Sequence, residues 1–159
     1  MTERGQPVVV GAPVPGRALP LAEVPDPVFA GAMVGPGVAL DPPREPVAAV
    51  APIAGSLVKV HPHAFVVAGS GPAAGTAVLV HLGIDTVQLH GEGFALVAAE
   101  GDAVAAGDVV VRWDPAAVEA GGRSPVCPVV ALDAGAEALD SLVTSGEVGA
   151  GDPLFTWTR

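Results

Sequence analysis

Two histidines are the side chains of this chain whose type and spacing best suit chemistry. His81 lies near the end of the apolar run Val78–Leu82 and is followed by a Gly-Ile-Asp-Thr turn. His63 lies upstream, in a segment that could pair beside that run as a neighbouring strand. Because the ordinary pKa of imidazole is about 6.5, an exposed ring is mostly neutral at pH 7 and needs no activating base to act as a nucleophile. The pair therefore predicts either phosphoryl carriage or metal binding.

Phosphoryl carriage needs little beyond the two rings and a turn. One ring nitrogen of His81 would attack phosphorus, while the hydrogen on the other nitrogen, held by a backbone carbonyl, would fix the tautomer. The turn could supply that carbonyl at Gly83, and its amide groups could bind the phosphoryl oxygens. The second imidazole, that of His63, could donate to the same oxygens during transfer. The sequence contains no nucleophile elbow and no Walker-type phosphate loop, so these groups have few competitors.

Metal binding is the alternative. On a strand, His61 and His63 would place both rings on one face, and their spacing from Gly55 resembles the opening of the cupin metal motif. The glutamate that this motif requires shortly afterwards is missing, and the proline between the two histidines is unfavourable inside a paired strand. We therefore expect no self-contained metal site. His90, in a glycine-rich turn, is expected to be a surface residue, whereas for His61 a surface role and a role beside His63 both stay open.

Composition excludes several classes of function. The net charge of the 159-residue chain is −10 and Lys59 is its single lysine, so no basic stripe is present to bind nucleic acid or an anionic membrane surface. The start of the sequence lacks the apolar stretch of a signal peptide, and the longest uncharged run, residues 64–84, is broken by glycines and a proline. We therefore expect a cytoplasmic protein without direct membrane insertion. Cys127, the lone cysteine, is expected to be a small buried hydrophobe.

Short apolar runs punctuated by 21 glycines and 17 prolines predict an all-β fold. We expect an antiparallel β-sandwich or barrel of many short strands with one or two short helical turns. Residues 1–12 are predicted to form a flexible N-terminal arm, and residues 13–159 one domain that begins with a winding connector over residues 13–27. The predicted strands are Gly37–Leu40, Val47–Val50, Ser56–Val60, Phe65–Ala68, Ala77–Leu82, Val87–Leu89, Phe94–Ala98, Val109–Trp113, Val129–Leu132 and Leu154–Trp157.

Two further local patterns predict structure. Asp114 as N-cap, Pro115 in the first turn and Gly121 at the end predict one short helix, and a second is predicted around Ala134–Leu142. The sequence from 101 to 113 is similar to that from 146 to 157: each runs through an acidic residue, a valine, a Gly-Asp pair and a strand closed by tryptophan. The similarity predicts two related hairpins.

A longer stretch of the sequence carries a specific family resemblance. The run Val80–Phe94 resembles the signature of glucose-type enzyme IIA of the bacterial phosphoenolpyruvate-dependent sugar phosphotransferase system. The resemblance extends from about residue 13 to the C-terminus. The other segments that match in family order are Pro25–Ala30, Val34–Leu40, Ala51–Gly55, His63–Phe65, Glu100–Asp108 and Pro128–Val130.

The resemblance implies a phosphotransferase component that carries a phosphoryl group between two proteins. His81 matches the phosphorylated histidine, which accepts the group at Nε2 from the phosphocarrier protein HPr, and His63 matches the histidine that supports transfer to the enzyme IIB domain of a sugar permease. Gly83, Asp85 and Thr86 match the turn at the rim of that site. No cofactor is required, but family members can bind zinc through the two histidines when a partner supplies a carboxylate. For parts of the family, the unphosphorylated form also binds and regulates other proteins.

One segment departs from the family pattern. Family members usually have a threonine and one further residue before His-Ala-Phe, whereas His61 and Pro62 occupy those positions here, and the stretch from Gly55 is about two residues shorter. The hydroxyl partner of His63 is therefore absent, and His61 is a candidate replacement. The orientation of His63 and its role toward the IIB domain stay open at this point.

Two other classes of protein compete with the carrier. A lipoyl- or biotinyl-type carrier would share the Gly-Asp turns but needs an exposed lysine in a hairpin, and Lys59 lacks the residues that normally flank such a lysine. A small metal-binding β-barrel is the third class, limited by the missing carboxylate ligand.

Overall fold

Short runs rich in valine, alanine and leucine, separated by glycine, proline and aspartate turns, form the strands of this protein. The computed structural model describes residues 7–158, and in this range the chain forms fourteen strands and two short α-helices. The strands are β1 (Val8–Gly11), β2 (Gly16–Pro20), β3 (Gly37–Asp41), β4 (Val47–Val50), β5 (Gly55–His61), β6 (Ala64–Gly69), β7 (Ala77–His81), β8 (Phe94–Leu96), β9 (Ala103–Val104), β10 (Val109–Trp113), β11 (Cys127–Ala131), β12 (Leu139–Asp140), β13 (Glu147–Val148) and β14 (Pro153–Trp157). The helices are α1 (Pro27–Ala30) and α2 (Pro115–Ala120), and short 3-10 helices occur at Leu21–Glu23, Gly71–Ala73, Thr86–Leu89 and Ala136–Ala138.

The strands assemble into three sheets, and every strand pair in the described residues is antiparallel. The large sheet has the order β13-β2-β3-β11-β7-β6-β5-β9, and the two small sheets have the orders β1-β14-β12 and β4-β10-β8. Short turns suffice for antiparallel neighbours such as β5 and β6, which fits the many glycines and prolines between the runs. The predicted all-β antiparallel sandwich with short helical turns is confirmed.

The central strands of the large sheet are buried on both faces because alternate residues enter two apolar clusters. In β3, Val38 and Leu40 pack into the main core, whereas Ala39 belongs to a second cluster on the opposite face. Strand β11 alternates in the same way through Val129 and Val130. The second cluster consists of Leu21, Val24, Ala39, Ile84 and Val130, and Phe29 and Leu79 are among the partly buried residues packed against it.

This alternation sets the direction of the candidate nucleophile. In β7, Val78 and Val80 are fully buried in the main core, while Leu79 packs against the second cluster. Since successive side chains of a strand point to opposite faces, His81 shares the face of Leu79. The ring of His81 therefore emerges beside the second cluster and outside the main core.

The chain joins the fold earlier than the sequence predicted. The predicted flexible arm covered residues 1–12, but β1 pairs with β14, and Val8 and Val10 are buried in the main core. The arm prediction is therefore wrong from Val8 onward, because alternating apolar side chains there complete the core. The first six residues of the predicted arm lie outside the described residues.

The predicted connector also contains regular structure. Residues 16–20 form β2, which pairs with β3, and a 3-10 helix follows directly. Helix α1 was not predicted, although Asp26 caps it through a hydrogen bond from Val28 N to its carboxylate at 2.9 Å, with Pro27 in the first turn. The predicted helix α2 is confirmed with the same Asp-Pro start: Asp114 accepts a hydrogen bond from Ala116 N at 3.0 Å.

Two predicted elements are wrong. The predicted strand Val87–Leu89 is a 3-10 helix, flanked by Asp85 and His90 in the left-handed conformation, which turns the chain at both ends and prevents an extended run. The predicted helix Ala134–Leu142 is limited to a 3-10 helix at Ala136–Ala138, since the chain then pairs with β14 as β12.

The two similar segments are not hairpins, in contrast to the prediction. β9 pairs with β5 of the large sheet, whereas β10 pairs with β4 and β8 of a small sheet. Likewise, β13 pairs with β2, whereas β14 pairs with β1 and β12. In both turns the aspartate accepts a backbone hydrogen bond, Asp108 from Ala105 N at 2.9 Å and Asp152 from Gly149 N at 2.7 Å. Each Gly-Asp turn thus carries the chain from the large sheet to a small one.

The helices of residues 7–158 are short, and none of them has the length and apolarity needed to cross a lipid bilayer.

The burial of β1 leads to a stability prediction. Val10 is 0% exposed and Val9, its neighbour on the same strand, is 56% exposed. We expect Val10→Ala to lower the free energy of unfolding by about 2 kcal/mol, through lost burial and a residual cavity. The matched Val9→Ala should cost less than about 1 kcal/mol. Urea denaturation measures both, and equal effects would show that β1 contributes little to the core.

Candidate functional site

The pairing of β6 with β7 brings the two predicted histidines together. Ala64 lies opposite His81 in this pair, and Leu82 N donates a hydrogen bond of 2.7 Å to the carbonyl oxygen of His63. The ring centroids of His63 and His81 are 5.3 Å apart, with an angle of 67° between the ring planes. The closeness of these rings, predicted from the sequence, is confirmed.

A two-residue turn between β5 and β6 carries the first of these histidines. His61 and Ala64 are the last paired residues, so Pro62 and His63 form the turn itself. Pro62 therefore lies outside the ladder, where its missing N–H costs no strand hydrogen bond, and the expected conflict between a proline and a paired strand does not arise. The ring of His61 stacks on that of His63, with centroids 5.6 Å apart and an interplanar angle of 20°.

A backbone carbonyl fixes the tautomer of the second histidine. The Nδ1 atom of His81 lies 2.5 Å from the carbonyl oxygen of Gly83, the contact that the sequence predicted. A carbonyl can only accept, so Nδ1 carries the hydrogen and donates it. In the neutral ring, the lone pair is then on Nε2.

The turn after β7 requires glycine at this carbonyl. Gly83 has a φ of +83°, and a Cβ added there would lie 2.7 Å from the Cγ2 atom of Thr86 and 3.0 Å from the carbonyl oxygen of Ser124. Another residue would therefore be strained and would displace the carbonyl that holds His81.

The two other predicted rim residues occupy different environments. Thr86 is fully buried, and its hydroxyl donates a hydrogen bond of 2.8 Å to the carbonyl oxygen of Leu82, which closes the turn. Asp85 is exposed and adopts a left-handed conformation with φ 59°. Thr86 thus supports the turn from inside, while Asp85 places a carboxylate at its surface.

A further aromatic ring, which the sequence did not predict as part of the site, lies against His81. Phe29 of α1 has its ring centroid 5.2 Å from that of His81, and it also packs against the second cluster. The Asp26-Pro27 pair carries the same helix-start signal as Asp114-Pro115 and could have revealed α1. Nothing in the local sequence links Phe29 to His81, because the two meet only through the tertiary fold.

Burial keeps both imidazoles neutral. It is the main cause that lowers the pKa of His81, while the hydrogen bond to Gly83 and the charges of Asp26 and Asp85 act in the opposite direction. Burial also lowers the pKa of His63 to about 4, with smaller contributions from His81 and His61. At pH 7 both rings are therefore mostly neutral.

Comparison with known proteins identifies the family. The family model described as phosphoenolpyruvate-dependent sugar phosphotransferase system, EIIA 1, matches residues 8–136. The chain belongs to this family. The resemblance found in the sequence is thereby confirmed, and membership in an EIIA family implies a phosphotransferase role.

Individual relatives are similar over most of the chain. The PTS system glucose-specific EIIA component of Bacillus cereus is 38% identical over 139 residues, which cover 87% of this chain and 81% of that protein. The PTS system glucose-specific EIIBCA component of Corynebacterium glutamicum is 38% identical over 130 residues, which cover 82% of this chain and 19% of that protein. The structure of glucose permease IIA from Mycoplasma capricolum matches with a TM-score of 0.85 and 33% identity, and covers 95% of this chain and 96% of that one.

The remaining candidate groups of this EIIA family member lie outside the cluster of rings. His90 is exposed at the end of a 3-10 helix, as expected for a surface residue. Cys127 is fully buried, which raises the pKa of its thiol to about 12 and leaves it without thiolate character at neutral pH. Lys59 lies within β5 opposite Val66 and not in a hairpin turn, which disfavours the lipoyl-type carrier.

The described residues contain no complete cluster of metal ligands. Within residues 7–158, no three His, Cys, Asp or Glu side chains are close enough together to bind one ion. Protein zinc sites use at least three protein ligands. His63 and His81 could therefore supply part of a zinc site in this EIIA domain only if another molecule contributed further ligands.

The hydrogen bond inside the turn gives one prediction. Thr86→Val keeps the shape of the side chain but leaves the Leu82 carbonyl without its buried partner, so we expect a loss of about 1–3 kcal/mol in the free energy of unfolding. Thr86→Ser keeps the hydroxyl and should lose less. Chemical denaturation compares the two, and a smaller loss in the valine variant would contradict the role of the hydroxyl.

The pKa of His63 gives another prediction. NMR titration of the His63 ring should show a midpoint near 4, whereas an unfolded chain protonates it near 6.5. Between these two pH values the folded state therefore binds fewer protons than the unfolded state. The free energy of unfolding consequently decreases as pH falls from about 6.5 towards 4. The decrease should be smaller in His63→Gln. A midpoint near 6.5 in the folded protein would disprove the effect.

Proposed function

We propose that this protein is a phosphoryl carrier of a glucose-type sugar phosphotransferase system. His81 accepts the phosphoryl group from phospho-HPr and passes it to the enzyme IIB domain of a sugar permease, in the cytoplasm. The observation that carries the proposal is the hydrogen bond from Nδ1 of His81 to the carbonyl of Gly83, because it leaves the Nε2 lone pair free on a neutral ring. The glucose-specific names of the relatives support the sugar class.

The transfer step needs no other nucleophile. The Nε2 lone pair of His81 attacks phosphorus, the bond between phosphorus and the HPr donor atom breaks, and its electron pair stays with HPr. The phosphorylated ring keeps its Nδ1 hydrogen on the Gly83 carbonyl, so the ring does not rotate between acceptance and release. Onward transfer reverses these roles, with an acceptor atom of the IIB domain attacking the phosphorus.

His63 is proposed to assist the onward step. Its ring lies edge-to-face with that of His81 and is neutral, so its single N–H can donate to a phosphoryl oxygen as charge shifts during transfer. A permanent positive charge there would hold the phosphoryl group more tightly than a carrier should. A neutral donor stabilises the transition state with less effect on the bound state.

The surface around His81 combines exposed apolar side chains with negative charge. Val28, Met33 and Val87, on the segments that flank the ring, are exposed large apolar side chains. The charges that act on His81 come from the carboxylates Asp26 and Asp85. A partner that presents apolar side chains around a cationic group would complement both features, and both HPr and a IIB domain are proposed to dock there in turn.

We propose two further roles, each of which requires a partner protein. Zinc binding by His63 and His81 would require at least one carboxylate ligand from another protein, since this chain supplies two imidazoles. Regulatory binding by the unphosphorylated form would use the same apolar surface, from which a phosphate of about −2 charge would displace a partner.

Phosphorylation in vitro tests the proposed function. The protein is incubated with phosphoenolpyruvate, enzyme I and HPr, and its intact mass is measured. We expect one acid-labile, base-stable phosphate on the wild type, none on His81→Ala, and a normal amount on the surface control His90→Asn, which replaces an exposed histidine. His63→Ala should accept phosphate but deliver it to a IIB domain about a hundredfold more slowly. Normal phosphate uptake by His81→Ala would refute the assignment.

A further inference from the structure

The ring of His63 is held by other rings and not by hydrogen bonds. Within residues 7–158, no side-chain hydrogen bond to its imidazole nitrogens is formed, in contrast to His81, whose Nδ1 is fixed by Gly83. Its contacts are the edge-to-face contact with His81 and the parallel stack with His61. Without a hydrogen bond, these ring contacts are the specific interactions that orient the His63 side chain.

The stack with His61 is set by the backbone of the tight turn. His61 is the last residue of β5 and is paired with Ala64, so its Cα is fixed by the ladder. Pro62 has a backbone φ restricted by its ring, which leaves the two-residue turn little freedom. The two imidazoles flanking this proline lie within 20° of parallel, at a separation typical of stacked rings.

We propose that His61 is a positioning residue, whose ring stacks on His63 and fixes its edge-to-face orientation toward His81. The inference rests on the proposed phosphoryl transfer and names the residue that aims its second histidine. His61 acts through the flat face of its ring, and any planar aromatic side chain of similar size should replace it.

The placement of His61 separates this role from two others. Its side chain is exposed, so it contributes little to the core, and its removal should leave the fold intact. Its ring contacts His63 and has no ring contact with His81 in the described part of the chain. It is therefore not placed to receive the phosphoryl group from His81 directly.

Three variants test the proposal. His61→Asn removes the ring and keeps a polar side chain, and His61→Phe keeps a planar ring without nitrogen atoms. His90→Asn is the matched control, because it removes an exposed imidazole elsewhere, and asparagine tolerates the left-handed conformation at that position. Single-turnover transfer from phosphorylated protein to excess IIB domain gives the rate, and ¹³C relaxation of the His63 ring by NMR gives its order.

If His61 acts by stacking, the variant that loses the ring should differ from the variant that keeps a ring. His61→Asn should slow onward transfer roughly two- to tenfold, the range that corresponds to an aromatic pair, and should increase the mobility of the His63 ring. His61→Phe and His90→Asn should both stay within about twofold of the wild type. In a His63→Ala background, His61→Asn should have no further effect on the rate, because the residue through which it acts is gone.

Other outcomes overturn the proposal. If His61→Asn and His61→Phe slow transfer equally, the imidazole nitrogens and not the stack are responsible. If His61→Asn slows transfer equally in the His63→Ala background, His61 contacts the partner directly. If His61→Asn leaves both the rate and the ring mobility unchanged, His61 has no role in positioning. The transfer rates are measured on protein that already carries phosphate on His81. A failure of the positioning proposal is therefore distinguishable from a failure of His81 to accept phosphate.

Discussion

The register between β6 and β7 is the constraint on which the site depends. With Ala64 opposite His81, the tight turn that holds His63 lies beside the end of β7, and the bond from Leu82 N to the His63 carbonyl joins the two segments. A shift of one residue would turn the ring of His81 into the main core and bury Leu79 on the wrong face. The alternation of β7 opposes this shift, because Val78 and Val80 pack in the main core and Leu79 packs against the second cluster. The packing of the sheet thus decides the position of His81.

The site itself is built largely by the backbone. The group that orients His81 is a carbonyl, its position depends on a glycine with positive φ, and the turn is closed by a buried hydroxyl on another carbonyl. Few charged side chains are needed, and those that act on His81 are carboxylates. Burial in this environment favours the neutral ring. Under the proposed function, the carboxylates near His81 would favour release of the phosphoryl group to the next partner.

The sequence predicted most of the strands and the contact between His81 and the Gly83 carbonyl, and its failures have physical causes. The runs that form β3 to β7, His81 and the Gly83 carbonyl were predictable because alternation and turn residues are local signals. Strand β1 was missed because it pairs with β14 at the far end of the sequence, which no local pattern reveals. Helix α1 was missed because its first residue, Pro27, was attributed to a connector. The contact between Phe29 and His81 exists only in the folded protein. The stack of His61 on His63 depends on a turn in which Pro62 is unpaired, and from the sequence alone this proline counted against a paired strand.

The pairing of β1 with β14 has a consequence for how this domain can be combined with others. Val8 lies opposite Trp157, so the points at which the described chain enters and leaves the fold are neighbours on one small sheet. A unit with adjacent entry and exit points can be joined to other modules, or inserted into a host chain, with little rearrangement of its interior. The Corynebacterium glutamicum relative, in which the matching stretch makes up 19% of a longer EIIBCA protein, is an instance of such modular use. The same geometry makes the domain suitable for circular permutation, with a short linker closing the original ends.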